Sequence, residues 1–144
     1  MIIITIIFFV IDLISKIIIS NSMNLFDSFV IIKKFFSITY VHNKGAAWSI
    51  LSGDRFFLIM ISLSIILAII VYLKKHRPIK KIDSIAYSMI LGGAIGNLSN
   101  RIFLGYVIDF LDFNIFGYDY PIFNLADTFI VIGVIILFIG TWRK

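Results

Sequence analysis

Phe56-Phe57-Leu58-Ile59-Met60-Ile61-Ser62-Leu63-Ser64-Ile65-Ile66-Leu67-Ala68-Ile69-Ile70-Val71-Tyr72-Leu73-Lys74-Lys75-His76-Arg77-Pro78-Ile79-Lys80-Lys81 decides the fold class. Its first eighteen residues hold nothing more polar than Ser62 and Ser64, and a run of that length and character is enough for one helical crossing of a bilayer. Its last eight carry five basic residues, and short loops rich in Lys and Arg stay on the cytoplasmic side. The stretch reads as a transmembrane helix whose C-terminal end faces inward.

Working outward, residues 84–100 carry no charge and continue past Arg101 to about 104, giving a third span. Residues 2–19 form an apolar run broken by Asp12, Ser15 and Lys16. Without a basic residue before it or a small-residue cleavage pattern after it, this run is expected to be a retained first span, not a cleavable signal. A fourth span covers 123–142. Four spans and an inward loop at 74–81 put both termini in the cytoplasm, with which Arg143-Lys144 agrees, and leave 20–55 and 105–122 outside. In the first outer connection, Phe35-Phe36-Ser37-Ile38-Thr39-Tyr40-Val41-His42 is aromatic and β-branched, so a strand or hairpin is expected within 20–55. The expected architecture is an all-α membrane protein with a small extracytoplasmic β element, in one domain over 1–144.

Composition narrows the chemistry. Of 144 residues 60% are hydrophobic and 15% charged, with mean hydropathy +1.05, whereas a soluble domain is about a quarter charged. Thirteen Lys plus Arg against eight acids give +5, which in a membrane protein reports topology before any nucleic acid partner. The absence of Cys excludes disulfides, thiol nucleophiles and Cys-ligated metals. With only His42 and His76, a His-rich metal centre is not expected. There is no H-E-x-x-H and no G-x-S-x-G. An enzyme of this composition is left with carboxylates, and all eight acids are Asp.

Polar groups in or beside lipid are expensive, so their positions carry information. Asn43 to Trp48, Asn97 with Asn100 and Arg101, Asp109 with Asp112, and Asn124 with Asp127 all fall at the outer ends of spans or in outer loops. Asp109 and Asp127 are eighteen residues apart, yet they reach the same depth if the third and fourth spans are antiparallel neighbours. Two carboxylates sharing a site hold one proton between them, so one can deprotonate a water while the other protonates a carbonyl oxygen. Asp127 has a second reading, as the third helical residue after an Asn124 N-cap. Asp12 and Lys16, four apart with the acid first, read as a structural intrahelical ion pair. Gly92, Gly93 and Gly96 form a small face for close helix packing, and the aromatics from Phe110 to Phe123 form an interfacial belt or embrace an acyl chain. Asn97 and Arg101 share a helix face, while Asn100 points about 100° away from Arg101. The alternative function, a small four-helix proton or ion transport component, needs carboxylates along a path through the midplane; here they gather at one face.

Together the segments resemble the signal peptidase II (lipoprotein signal peptidase) family, bacterial membrane aspartyl proteases, over nearly the whole chain. The matching pieces are Asp12 to Lys16, Asn43 to Trp48, Gly92 to Arg101, Val107 to Phe110 and Phe123 to Asp127. The resemblance implies four transmembrane helices with a small extracytoplasmic β-cradle. It implies that Asp109 and Asp127 are the catalytic dyad, and that Asn43, Gly45, Ala46, Asn97, Arg101, Asn124 and Ala126 line the site or contact substrate. It further implies cleavage of prolipoproteins just before a diacylglyceryl-modified cysteine, with no metal and no organic cofactor. The expected partners are that substrate and membrane lipids, the expected state a monomer, and the expected location the bacterial cytoplasmic (inner) membrane, with the site on its extracytoplasmic face. The chain departs from the family pattern at Asn100, where an aspartate is usual; if the position needs only hydrogen bonding, the amide suffices.

Overall fold

The structure, a computed structural model, describes residues 1–45, 54–76 and 80–142. The elements run α1 (Ile2–Ser22), β1 (Ser28–Ile32), β2 (Phe36–Asn43), α2 (Arg55–Lys75), α3 (Lys81–Phe103), β3 (Val107–Ile115), β4 (Tyr118–Asp119) and α4 (Leu125–Trp142). The chain is mostly helical, with one small antiparallel sheet in the order β1-β2-β3-β4. Among the described residues, α1 and α2 are long and apolar enough to cross a membrane, and α4 holds a shorter apolar stretch, Leu125–Gly140.

Local chemistry sets the ends of α2. The Asp54 side chain accepts the Phe57 N–H at 3.0 Å as an N-cap, and Lys74 and Lys75 occupy the last turn, where the helix dipole favours cations. Burial then runs inside out relative to a water-soluble protein. Isoleucines of α1 such as Ile2, Ile3 and Ile18 face outward, whereas Asp12 and Lys16 are buried. Apolar side chains facing hydrocarbon need no protein partner, while polar groups there must find one inside the protein.

The helix at the centre is α3, which packs against α1, α2 and α4. Its glycines allow that approach: a methyl on Gly92 would sit 2.7 Å from the Phe8 Cβ, one on Gly93 would collide with the Ala126 carbonyl oxygen, and one on Gly96 with the Asp12 carboxylate.

The sheet is larger than the sequence suggested. The strands expected within 20–55 are present as β1 and β2, but β3 and β4 are built from 105–122, where the sequence predicts only an outer connection. The pattern was hidden because Val107, Ile108, Asp109 and Phe110 are all buried, so the period-two alternation of a half-exposed strand is missing at the start of β3. The hairpin to β4 turns at Phe116 and Gly117, with φ of 53° and 88°; two successive positive φ values fit the twist of a two-residue hairpin.

Candidate active site

Two helix termini and two strands converge on one buried polar network. In α1, Lys16 Nζ donates to Asp12 Oδ2 at 2.8 Å and to Asn97 Oδ1 of α3 at 2.8 Å. The second oxygen of Asp12 accepts the Ala126 N–H at 3.0 Å, which ties α1 to the first turn of α4. The pair is thus intrahelical, as its spacing suggests, and also joins three helices.

The start of α4 is fixed from two directions. The Phe123 carbonyl accepts the N–H groups of Phe110 and Leu111 at 2.9 and 2.8 Å, and the Phe123 N–H returns to the Leu111 carbonyl at 3.1 Å. This antiparallel bridge lays residue 124 beside Asp109. Asn124 and Asp127 then cap the helix reciprocally: the Asp127 N–H donates to Asn124 Oδ1 at 3.1 Å and the Asn124 N–H to Asp127 Oδ2 at 3.2 Å. Asp127 takes its capping geometry while its other oxygen accepts Asn97 Nδ2 at 2.7 Å.

Asp109 is held from the strand side. Val41 pairs with Asp109 across β2 and β3, so Asn43, two residues on, is its diagonal neighbour on the same face. Asn43 Nδ2 donates to Asp109 Oδ2 at 2.8 Å, and Asn124 Nδ2 donates to Asp109 Oδ1 at 2.6 Å. Asn124 therefore bridges the two carboxyl-bearing elements. Burial, and after it the nearby Asp127 carboxylate, push the Asp109 carboxyl up to about 7, against the opposing pull of the Asn43 and Asn124 amides and the Lys16 charge.

Asn43, Asn97, Arg101, Asp109 and Asp127 line one cavity of about 810 Å³. Its remaining wall is chiefly apolar and includes Ile65 of α2 and Val131 of α4, so a polar floor opens onto an apolar cleft between two helices that flank α3. Arg101 Nη2 donates to the Gly45 carbonyl at 3.0 Å, while its Nε is buried without a partner. The Gly45 N–H donates to Asn43 Oδ1 at 2.9 Å.

Residues 4–143 match the family model described as signal peptidase (SPase) II. The chain belongs to the signal peptidase II family. It is 43% identical over 129 residues to the lipoprotein signal peptidase of Staphylococcus aureus strain JH9, covering 90% of this chain and 79% of that one, and it matches the protein of strain Newman equally. Two solved bacterial membrane enzymes, determined in meso at 2.3 and 1.9 Å, superpose with TM-scores of 0.91 and 0.89 at 40% identity, covering 99% of this chain and 87% and 92% of theirs. Members of the signal peptidase II family remove signal peptides from prolipoproteins, and this membership does not favour the transport alternative.

Of the nine dyad and substrate-site residues expected for this signal peptidase II family member, five line the cavity, and Phe113, Tyr120 and Phe123 of the aromatic stretch line it with them. Asn124 and Ala126 stand behind its wall, both fully buried: Asn124 orients a carboxyl group, and Ala126 gives its N–H to Asp12. Ala46 lies outside the described residues. His42 stacks on Tyr106 with ring centroids 3.6 Å apart and bonds the Tyr40 hydroxyl through Nε2. Sequence reasoning missed the α2 contribution to the cavity and the reach of Lys16 to Asn97, eighty-one residues away. Asn100, the departure from the family pattern, accepts the Ile108 N–H at 3.2 Å in a buried setting and so anchors β3 to α3. Asn100→Asp keeps an oxygen acceptor and is expected to retain cleavage. Asn100→Ala leaves that N–H unsatisfied and is expected to lower stability by about 1–3 kcal/mol. Thermal unfolding in detergent with a parallel cleavage assay checks both, and an alanine variant as stable as wild type would contradict the anchoring role.

Proposed function

We propose that the chain is an aspartic endopeptidase of the membrane that cleaves diacylglyceryl-modified prolipoproteins just before the lipidated cysteine, with Asp109 and Asp127 as its catalytic residues. The observation that carries this is the pair itself: a buried Asp109 and a half-buried Asp127, bridged by Asn124, on the polar floor of a cavity whose other walls are apolar. In the reaction, the ionised carboxylate takes a proton from water as its oxygen attacks the scissile carbonyl carbon. The protonated carboxyl gives its proton to the carbonyl oxygen. When the tetrahedral intermediate collapses, the C–N bond breaks, the departing amine takes the proton held by the base, and the hydroxyl that becomes the new carbonyl returns its proton to the other carboxylate. Asn43, Asn97 and Asn124 keep the two groups oriented. Arg101, with a buried N–H to spare, supplies a donor for the substrate backbone, and Gly45 lies beside it.

The apolar cleft supports lateral entry from lipid, with the acyl chains along the α2 and α4 walls and the scissile bond at the aspartates. This reading requires four transmembrane helices, both termini in the cytoplasm and the sheet on the outer face of the bacterial inner membrane; the enzyme acts as a monomer with membrane lipid as its solvent. The native chain has no cysteine, so single labels report topology cleanly: Ser28→Cys should react with an impermeant reagent from outside and Lys80→Cys should not. The reverse pattern would sink the orientation. The activity is tested by incubating purified protein with a diacylglyceryl precursor and determining by mass whether the signal peptide is released at the cysteine; an intact precursor would count against the proposal.

A further inference from the structure

We propose that Lys16 is a positioning residue for the dyad, acting through Asn97 to hold Asp127 as the ionised carboxylate, so that Asp127 deprotonates the attacking water and Asp109 carries the proton given to the carbonyl oxygen. The inference rests on the aspartic reading above and assigns its two roles.

The number of donors does not separate the two carboxyl groups, since each accepts two N–H bonds. Their origin does. The Asn97 amide receives the Lys16 ammonium at 2.8 Å and Asn124 Nδ2 at 3.1 Å on its oxygen, and donates from its nitrogen to Asp127 at 2.7 Å. A cation on the oxygen of an amide withdraws electron density and strengthens the N–H donor at its other end. Lys16 is 1% exposed, so little solvent or salt screens this effect. Asp127 also lies in the first turn of α4, where the helix dipole favours an anion. Asp109 lies on a strand, and its donors are the amides of Asn43 and Asn124, whose own oxygens are taken by the neutral backbone N–H groups of Gly45 and Asp127. Among the described residues, no cation touches either amide oxygen.

The charged groups facing Asp127 are Asp12 and Lys16 from α1, Arg101 from α3 and Asp109 from β3. Arg101 acts on both carboxylates. Lys16 acts on both as well; like Arg101 it acts more strongly on Asp127, and in addition it reaches that carboxylate through the Asn97 amide. Asp12 opposes Lys16, yet its free oxygen is turned to the Ala126 N–H, leaving Lys16 as the member of the pair that touches Asn97. That burial keeps the Asp109 carboxyl protonated up to about 7 is consistent with this division.

The test is the pH profile of kcat/KM for a diacylglyceryl precursor, whose acid limb reports the group that must be ionised in the free enzyme. Asp12→Asn/Lys16→Gln retains amide hydrogen bonding while removing both charges. Its acid limb is expected to move up by about one pH unit, a tenfold loss of kcat/KM at the acid end. Asp12→Asn alone leaves the ammonium unopposed and should move the limb down, while Lys16→Arg should leave it in place. A purely structural link would lower kcat/KM at every pH with the limb unmoved, or shift both asparagine variants the same way; either result overturns the proposal. Should the double variant fail to fold, the opposite shift in Asp12→Asn decides by itself. An unmoved limb together with inactive Asp109→Asn and Asp127→Asn variants refutes the role of Lys16 but not the dyad, whereas cleavage by those two variants refutes the dyad as well.

Discussion

Asp109→Asn and Asp127→Asn are each expected to lower prolipoprotein cleavage by about 10⁴-fold, the upper end of what a general acid or base contributes, because in the proposed mechanism one carboxyl group cannot both activate water and protonate the carbonyl. The network predicts a limited structural effect. Asn43 and Asn124 have their side-chain orientations set by backbone N–H groups, so an amide at 109 must present its own NH₂ to one of their donors and loses that bond, at about 1–3 kcal/mol. Against this, the neutral amide relieves the burial of a carboxylate. The carboxyl pKa at 109 is raised from 3.8 to about 7 by folding, so the wild-type group takes stability away as pH rises through that window. An Asp109→Asn protein therefore remains folded near neutrality, and its Tm relative to wild type improves between pH 4 and pH 7. Asp112, which accepts the Thr39 hydroxyl at 2.6 Å, and Asp119, bonded to Asn114, serve as controls on the sheet. Their Asn variants should cleave at near wild-type rates. A purified dyad variant with appreciable turnover would refute the aspartic mechanism.

The parts of this molecule that could be read from sequence are those for which the solvent imposes the rule. Hydrocarbon tolerates long apolar helices and penalises polar groups without partners, so the clear span at 56–73 and the gathering of Asn, Asp and Arg near one face stood out before any fold was known. Spacing added the Asp12–Lys16 pair and the shared face of Asn97 and Arg101, since both follow from helix geometry alone. What could not be read depends on contacts between distant segments. The start of β3 is a sheet strand packed against α1 and α3, with Val107 to Phe110 all buried, so it lacks the alternation that marks a half-exposed strand. The link from Lys16 to Asn97 has no local signature, because a buried Lys paired with an acid four residues away already accounts for its charge. Likewise α2 shows an almost featureless apolar sequence, and only its position beside α3 makes Ile65 part of the cavity wall.

A precursor without its diacylglyceryl group should be a poor substrate, and the cavity indicates the size of the effect. Its floor presents the two aspartates, while the wall formed by residues such as Ile65, Val131 and Phe113 offers no ionic or strongly polar group to a peptide. Specificity on that side must come from apolar burial. Each methylene removed from water contributes on the order of 0.8 kcal/mol, so seating four of them along the cleft is worth about 3 kcal/mol, or roughly two hundredfold in kcat/KM. In the proposed lateral entry, the lipid would also confine the precursor to the membrane, with the scissile bond at the depth of the carboxyl groups. The comparison should therefore be made in detergent micelles, where both precursors reach the enzyme and the contribution of the cleft is isolated from that of partitioning. Lipidated and unlipidated precursors differing only at the cysteine should then separate mainly in KM, because the acyl contacts are present before and throughout the chemical step. Replacing Val131 with Asp would put a charge on the apolar wall and should erode the preference from the lipidated side alone. Equal kcat/KM for the two precursors with the wild-type enzyme would show that the cleft does not hold acyl chains and would leave substrate selection to the peptide.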